Sequence, residues 1–354
     1  MSDASINKNK RKERAIPIGI TDFKEIIEGN YCYVDKSLCI KELLDNRAKV
    51  TLLPRPRRFG KTLTLSMLRY FFEKSSESHA PLFEKLAIAQ HPEIMKQQGQ
   101  CPVIFFTFKE AKQPDWESCY AELKRIIRQE YERHLYLLDS EKLSPLDREL
   151  FKRITMQEAD PELYRPALKN LSFYLEQYHG VKPVVLIDEY DAPIHSGYGN
   201  GYYEKIIDFI RSFLGAGLKD NNALNFAVMT GILRVAKESI FSGLNHLAVY
   251  TILDDPFSTT FGFSQPEVDR LLQEYDLIDQ AEEVRSWYNG YTIGTLHGVY
   301  NPWSLLNFLM LRKIGTYWLN TSDNQLIHQV LSASSASFKA DLENLMAEKS
   351  IEKE

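Results

Sequence analysis

Short, mostly apolar runs alternate with longer amphipathic segments over the first two thirds of the chain. The apolar runs predict five β-strands, at residues 48–53, 102–108, 183–187, 225–230 and 247–252. Between them, apolar residues recur at helical spacing, most clearly in 61–73 and 203–218. Strands without regular polar alternation are typical of parallel sheets that helices cover on both faces. The pattern therefore predicts an α/β fold built on a parallel sheet.

The pattern changes after Asp255. Ser264 and Glu267 have the spacing of a capping box, and Asn301-Pro302 is typical of the start of a helix. The segment that follows the sheet therefore predicts a smaller, mostly helical domain. The predicted division of the chain is a disordered basic tail (1–15), a core (16–255), a small helical domain (256–330) and a polar C-terminal tail (331–354).

The composition is that of an ordinary globular protein, with 44% hydrophobic and 26% charged residues. The formal net charge of -5 gives no general electrostatic reason to bind nucleic acid or an anionic membrane. No apolar run approaches the roughly 20 residues of a membrane-spanning helix, and the basic start lacks the apolar stretch of a signal peptide. The four cysteines show no zinc-binding spacing and are typical of reduced thiols. We therefore expect a cytoplasmic protein with no membrane partner.

Chemistry is first indicated where the first predicted strand runs through a loop into a helix. The loop ends in Gly60-Lys61-Thr62, so backbone N–H groups and the helix dipole would point at one spot, which suits phosphate oxygens. Lys61 would reach the β- and γ-phosphates, and the Thr62 hydroxyl would ligate Mg²⁺. The usual pattern has glycine where this chain has Arg55. The residues expected to contact a nucleotide are Arg57, Arg58, Phe59, Gly60, Lys61, Thr62 and Leu63.

A second polar group, Asp188 and Glu189, ends the third predicted strand. Asp188 would hold Mg²⁺ together with Thr62, and Glu189 would be the general base that activates the attacking water. Because adjacent strand residues point to opposite faces, the two roles require the chain to leave the sheet at Asp188. The alternative is that both acids are solvated strand caps. One additional strand between the two motifs, with a glutamate beside the aspartate, favours an ATPase over a GTPase.

A third signal follows the fourth predicted strand. Thr230 fits the polar position that senses the γ-phosphate on the strand beside the phosphate loop. Arg234 could supply positive charge to the transferring phosphate, in cis or across a subunit boundary. The alternative for Arg234 is a surface or ion-paired arginine. Arg57 and Arg58 would either neutralise phosphate charge or face a partner.

Seven short sequences stand in the same order as in the bacterial AAA-ATPase-like family, which this chain therefore resembles. They are YVDK (33–36), PRPRRFGKT (54–62), LIDEYDAP (186–193), TGILR (230–234), SGLN (242–245), WYNGY (287–291) and YNPW (300–303). The resemblance runs from about residue 16 to residue 324, and the arginine at position 55 looks like a trait of the family. It implies a P-loop NTPase core of the AAA/signalling ATPase type with a helical or winged-helix-like C-terminal lid. It also implies that residues 18–34 border the adenine.

Many members of this family continue into a nuclease-like domain of the PD-(D/E)xK type. After residue 320 this sequence has no Asp followed by Glu-x-Lys on consecutive strands. Nuclease activity is therefore not carried over from the resemblance. The aromatic residues of 287–291 and 300–303 are expected to pack the lid onto the core rather than to stack on bases, because no basic residues are interleaved with them.

The sequence leaves three functions open. The first is an ATP-binding, slowly hydrolysing switch protein with Mg-ATP as its ligand, and the second is a nucleotide-binding scaffold or regulatory module without significant hydrolysis. The third is a metal nuclease built on Asp188, Glu189 and Asp191, in which the Gly-Lys-Thr loop would have no purpose. The expected partner is an adenine nucleotide. A protein partner or a homo-oligomer stays open, and nucleic acid has no support from the net charge.

Overall fold

The structure of the protein is a computed structural model that describes residues 13–219, 221–233 and 247–318, with the single positions 338, 341 and 344. Its helices are α1 (Phe23–Glu28), α2 (Leu38–Asn46), α3 (Lys61–Phe72), α4 (Pro92–Met95), α5 (Trp116–Glu132), α6 (Pro145–Thr155), α7 (Pro161–Tyr164), α8 (Ala167–His179), α9 (Ala192–Gly199), α10 (Tyr203–Leu214), α11 (Gln265–Glu274), α12 (Ala281–Tyr288) and α13 (Pro302–Leu311). Its strands are β1 (Val50–Pro54), β2 (Val103–Thr107), β3 (Val184–Asp188), β4 (Ala227–Gly231), β5 (Leu247–Val249), β6 (Asn289–Ile293) and β7 (Leu296–Tyr300).

Strands β1 to β5 form one parallel sheet in the order β2-β3-β4-β1-β5. This arrangement confirms the predicted α/β fold and the five strands of its sheet. Strand β4 lies between β1 and β3, so that Leu53 is level with Thr230 and Ile187 is level with Met229. Because parallel strands point the same way, their carboxyl ends meet along one edge of the sheet. The described candidate residues at or directly after the ends of β1, β3 and β4 lie at that edge.

Successive residues of a central strand face two different hydrophobic cores, which explains the unbroken apolar runs. In β3, Val185 and Ile187 belong to one core and Val184 and Leu186 to the other. The first core includes residues of α5, α8 and α10, and the second includes residues of α1, α2 and α3. Helices therefore cover both faces of the sheet, and every residue of β1, β3 and β4 is buried.

Two predicted elements end earlier than expected. Strand β5 stops at Val249 because Thr251 turns the chain away, its backbone N–H and hydroxyl both donating to Asp254 at 2.7 and 2.8 Å. The α-helical part of 203–218 stops at Leu214 and continues as one π-helical turn, Gly215–Lys219. A Cβ at Gly217 would come within 2.3 Å of Leu168, so only glycine allows this close packing on α8.

Residues 263–318, called the C-terminal unit below, follow the sheet and form most of a third hydrophobic cluster, which also includes Cys32. The predicted helix signals are confirmed there. Ser264 and Glu267 form a capping box at α11, and the Asn301 side chain accepts from the Ser304 N–H at 3.1 Å at the start of α13. Strands β6 and β7 add an antiparallel hairpin that the sequence prediction of a mostly helical domain did not contain.

The ordered chain begins before the predicted boundary at residue 16. Arg14 donates two hydrogen bonds of 2.7 Å to Glu274 of α11, and the Ala15 carbonyl accepts from the Cys32 N–H at 2.8 Å. The first two bonds join Arg14 to the C-terminal unit, and the third joins Ala15 to the segment after α1, which corrects the expected disorder for these two positions. Residues 1–12 of the predicted tail lie outside the described part of the chain, as does 331–354 apart from its three single positions.

Two expectations from composition concern the described part of the chain. All four cysteines are buried and free of disulfide bonds. Over the described ranges, no helix has the length and apolar character needed to cross a membrane.

Candidate functional site

The phosphate loop, residues 55–60, connects β1 to α3. Gly60 ends it with φ +83°, a left-handed conformation that glycine adopts without strain, and α3 begins at the next residue. Lys61 is only 5% exposed, and its ammonium donates to the carbonyl oxygens of Arg55 at 3.1 Å and Pro56 at 3.0 Å. Burial lowers the pKa of Lys61, while the acids Glu189, Asp188 and Asp191 act to raise it. The lysine thus lies beneath the loop, within the field of all three acids.

Arg55 occupies the position where the usual pattern has glycine, and its side chain is fully buried. The guanidinium donates to the carbonyls of Pro54, Tyr250 and Phe257 at 2.9, 2.7 and 3.2 Å, and it lies over the Phe261 ring at 5.3 Å. Burial lowers its pKa to about 10, so it keeps its charge at neutral pH. Arg55 therefore ties the phosphate loop to the segment that leads into the C-terminal unit. This role could not be predicted from the sequence, where Arg55 was only a departure from a pattern.

Asp188 lies between two predicted partners at the end of β3. Its carboxylate accepts from the Thr62 hydroxyl at 2.7 Å and from the Thr230 hydroxyl at 2.6 Å. Burial raises the pKa of Asp188, which is 1% exposed, and the two hydroxyl hydrogen bonds lower it. The structure thus brings together three residues that lie up to 168 positions apart in the sequence.

Glu189 leaves the sheet directly after Asp188, as the predicted roles require. It has φ +49°, a left-handed conformation that costs a non-glycine residue about 1 kcal/mol or more. The Glu189 carboxylate borders the same cavity as Lys61 and lies 3.5 Å from the Lys112 ammonium. The turn therefore separates the directions of the two acids.

Asp191 does not join the other two acids. Its carboxylate accepts from the backbone N–H groups of Ile232 at 2.8 Å and Leu233 at 2.9 Å, and the His195 ring nitrogen lies 3.6 Å away. Asp191 holds the chain after β4 in place. Within the described ranges no group of three His, Cys, Asp or Glu side chains could hold a metal ion. The structure therefore does not bring Asp188, Glu189 and Asp191 together as a metal nuclease built on them would require.

A cavity of about 420 Å³ opens beside the loop and has the volume of a small-molecule site. Its lining is strongly basic, with one acid, Glu189. The cationic residues that border it are Lys36, Arg57, Arg58, Lys61, Lys109 and Lys112. Lys109 and Lys112 were not among the predicted site residues, although they follow β2, whose carboxyl end lies at the same sheet edge as the other motifs.

Much of the remaining lining of the cavity is apolar. It includes Leu63 of α3, Pro17, and four residues of the segment that the family resemblance assigned to the adenine, Ile20, Ile26, Tyr33 and Val34. Phe263 and Leu306 of the C-terminal unit also border the cavity. The lining therefore combines cationic with apolar residues.

The apex of the loop, defined as Arg57, Arg58 and Phe59, contacts the C-terminal unit. The Arg58 guanidinium stacks on the Trp303 ring at 4.2 Å, and Phe59 meets Tyr291 edge to face at 4.9 Å. Tyr291 and Trp303 thus pack onto the core as expected, whereas Trp287 of the same motifs is 52% exposed.

The Arg57 carbonyl is close to two further donors of the C-terminal unit, Asn301 Nδ2 at 3.5 Å and Trp318 Nε1 at 3.4 Å. The structure therefore gathers all predicted site residues but one around this loop and sheet edge. The exception is Arg234, which lies outside the described residues, as does the SGLN sequence of the resemblance.

Comparisons with known proteins give the family of the chain. Residues 17–241, more than half of the chain, match the model of the AAA-ATPase-like family, whose description is Predicted AAA-ATPase. The "Uncharacterized protein in vnfD 5'region" of Azotobacter chroococcum mcd 1 is 31% identical over 343 residues, which cover 94% of this chain and 59% of that relative. The phosphate loop and the acids lie inside the family match, and the C-terminal unit lies beyond it. The chain belongs to the AAA-ATPase-like family of predicted ATPases, a membership that supports nucleotide binding.

Proposed function

We propose that the protein binds Mg-ATP in this cavity and hydrolyses it slowly. We further propose that the C-terminal unit is a lid whose contact with the loop changes with the nucleotide that is bound. The observation that carries the proposal is the carboxylate of Asp188, which accepts hydrogen bonds from both Thr62 and Thr230. One acid thereby links the end of β3 to the helix after the phosphate loop and to the strand beside it. Such convergence suits a single bound ligand with phosphate groups at the sheet edge.

The charge of the cavity supports a triphosphate. Six cationic side chains border it against one acid, in a chain whose formal net charge is -5. Two of the cations have carboxylate partners, because Lys36 pairs with Glu267 at 2.8 Å and Lys112 with Glu189 at 3.5 Å. The positive charge that is left over favours an anion in the cavity. The apolar residues of the lining suit a purine base, and the choice of adenine rests on the family.

The donors present also fit magnesium. Mg²⁺ binds oxygen ligands, and the Thr62 hydroxyl and the buried Asp188 carboxylate lie 2.7 Å apart at the sheet edge. We expect these two groups to hold the ion, which would neutralise charge on phosphate oxygens. Burial makes the ionised form of Asp188 unfavourable, so a cation beside it would relieve that penalty.

Glu189 is the proposed general base. Its left-handed backbone turns it away from Asp188 towards the cavity, where it would accept a proton from the attacking water. Lys112 competes for the same carboxylate, since its ammonium lies 3.5 Å away. A carboxylate that is paired with a lysine is less free to contact the attacking water, and this is the reason we expect slow turnover.

Phosphate release from Mg-ATP tests the proposal. Glu189→Gln keeps the size of the side chain but cannot accept the proton, so we expect its rate to fall about 10²-fold or more while ATP binding persists. Glu110→Gln is a matched control. Glu110 is an exposed glutamate on the connection after β2 that also carries Lys112. Equal phosphate release by wild type and Glu189→Gln would remove Glu189 from the mechanism.

The ion pair of Glu189 and Lys112 also favours a second candidate, a nucleotide-binding regulatory module without hydrolysis. In that case the carboxylate would stay bound to the lysine with ATP present. Tight ATP binding with no phosphate release, in both wild type and Lys112→Gln, would support this candidate over the first. Phosphate release that increases in Lys112→Gln would exclude it.

A further inference from the structure

The two arginines at the apex of the loop are equivalent in the sequence but not in the structure. We infer that Arg57 is a catalytic residue that supplies, from within the same chain, positive charge to the phosphoryl group under attack, and that Arg58 instead binds the C-terminal unit. This inference rests on the proposed ATP hydrolysis and goes further by assigning the charge to one side chain.

Arg58 already has a partner. It is exposed, and its guanidinium lies 4.2 Å from the centroid of Trp303, a distance typical of a cation–π contact. This stack directs the side chain at α13 of the C-terminal unit. Arg58 is therefore engaged in holding the loop against that unit.

Arg57 borders the same cavity as Arg58 but differs from it in exposure and in the partners of its side chain. It is half-buried, and within the described part of the chain no carboxylate lies within ion-pairing distance of its guanidinium. A half-buried cation without a counter-charge favours an anionic ligand. The cavity that Arg57 borders is where that ligand would lie.

The charge of Arg57 also acts on a neighbouring group. Burial lowers the pKa of His195, with Asp191 opposing the decrease and Arg57 adding to it. Arg57 and Glu189 border the same cavity.

The backbone of Arg57 is held in place by the C-terminal unit. Its carbonyl lies 3.5 Å from Asn301 Nδ2 and 3.4 Å from Trp318 Nε1, both of which donate towards it. The orientation of the guanidinium is thereby coupled to the docking of that unit. The charge would be in place only while the unit contacts the loop.

The chemical step that Arg57 would assist is hydrolysis of the γ-phosphoryl group. A water oxygen forms a bond to the γ-phosphorus while the bond between that phosphorus and the β–γ bridging oxygen breaks. The electron pair of the broken bond stays on the bridging oxygen of ADP, and the proton of the water passes to Glu189 and then to solvent or phosphate. The guanidinium would stabilise the negative charge on the oxygens of the phosphoryl group during this transfer.

The test compares Arg57→Ala, Arg57→Lys and Arg58→Ala with wild type. The control is Arg270→Ala, because Arg270 is exposed on α11 and does not border the cavity. Three quantities are measured for each protein: the single-turnover rate of phosphate release, the affinity for Mg-ATP, and the affinity for Mg-ADP with aluminium fluoride, which mimics the phosphoryl group in transfer.

For Arg57→Ala we expect the rate to fall about 10²- to 10³-fold, within the range of charge-stabilising groups in such reactions. The ATP affinity should change by less than about 10-fold, while the gain in affinity from aluminium fluoride is lost, because the interaction is made mainly in the transition state. Arg57→Lys should recover only part of both effects, since a lysine lacks the planar fork of donors. Arg58→Ala should change the rate less than Arg57→Ala.

Three results would overturn the inference. The first is a wild-type rate in Arg57→Ala, and the second is a loss of ATP affinity as large as the loss of rate, which would make Arg57 a binding residue only. The third is a dependence of the rate on Arg234 and on protein concentration with none on Arg57, which would indicate an arginine from a second subunit. A wild-type protein that neither binds nor hydrolyses ATP would instead contradict the proposed function itself.

Discussion

The base and the apex of the phosphate loop are held by different parts of the chain. The base, Arg55 with Lys61 below it, is bonded to the sheet edge and to the carbonyls of the segment after β5. The apex, Arg57 to Phe59, is held by aromatic and amide groups of the C-terminal unit. Two regions that are remote in the sequence therefore hold the same six-residue loop. Its base is a fixed part of the core, whereas its apex depends on how the C-terminal unit docks.

This difference suggests how a nucleotide could report its state. Phosphates at the base would be bound by groups that the sheet keeps in place, such as Lys61 and Thr62. A change at the apex would directly affect Trp303 and Tyr291, because these rings contact it. Three predictions test this difference between the base and the apex, and they are given in order of decreasing change in the free energy of unfolding.

The base is most sharply tested by Arg55→Ala. The substitution removes a fully buried side chain and leaves the carbonyls of Pro54, Tyr250 and Phe257 without this donor. We expect the free energy of unfolding to fall by about 3 to 5 kcal/mol, from lost packing together with unsatisfied polar groups. Urea denaturation followed by circular dichroism measures the change. Arg55→Gly should behave alike, although it recreates the usual glycine.

The control for this variant is Arg270→Ala, which removes an exposed arginine and should change stability by less than about 0.5 kcal/mol. An Arg55→Gly protein as stable as wild type, with tighter ATP binding, would mean that Arg55 merely replaces a phosphate-loop glycine. The buried tether would then have no stabilising role.

The apex is tested by Trp303→Ala. This change removes the stack on Arg58 and the hydrogen bond from Trp303 Nε1 to the Tyr317 carbonyl at 3.1 Å. We expect a smaller loss of stability, about 1 to 2 kcal/mol, because Trp303 is only partly buried. The comparison is with Trp287→Ala, whose ring is 52% exposed and should contribute less than about 0.5 kcal/mol. Equal losses in the two variants would contradict a special role for Trp303 at the apex.

Acid titration gives the smallest predicted effect and concerns the sheet edge near the base. Burial lowers the pKa of His195 below its ordinary value of 6.5. Below that pH the unfolded chain binds this proton more readily than the folded one, so the free energy of unfolding should decrease as the pH falls from about 7 towards 5. His195→Gln should reduce this decrease by less than about 1 kcal/mol. His297→Gln, at an exposed hairpin position, should leave it unchanged.

If His195→Gln has the same pH dependence as wild type, His195 is not the group that titrates. The fall in stability must then be assigned to another titratable group. Denaturation curves at several pH values separate these outcomes.

Part of this arrangement could be predicted from the sequence. The five strands were recognisable because β1, β3 and β4 are buried on both faces and so lack polar positions. The meeting of Thr62, Asp188 and Thr230 followed from strand direction, since parallel strands end at one edge. The turn after Asp188 could be inferred from the opposite faces of adjacent strand residues, and Glu189 has the required left-handed conformation.

The parts that the sequence did not predict depend on tertiary contacts between remote residues. No local pattern distinguishes Arg55, which is buried among carbonyls, from Arg57, which borders the cavity. The stack of Arg58 on Trp303 joins positions 245 apart, and the pair of Lys112 and Glu189 depends on the order of the strands. A lysine on an exposed connection gives no signal by itself, and only its place at the shared sheet edge makes it informative.

The central claim is that Lys61 and the two acids flank one magnesium-bound nucleotide. Isothermal titration calorimetry with ATP, with GTP, and with ATP in the absence of Mg²⁺, on wild type and Lys61→Ala, measures this directly. We expect wild type to bind ATP more tightly than GTP, and to bind ATP less tightly when Mg²⁺ is removed. Lys61→Ala should weaken ATP binding by about 10- to 100-fold, which is the contribution of one charge-assisted hydrogen bond. A wild-type protein with no affinity for ATP, or one whose affinity is unchanged by Lys61→Ala, would contradict the central claim.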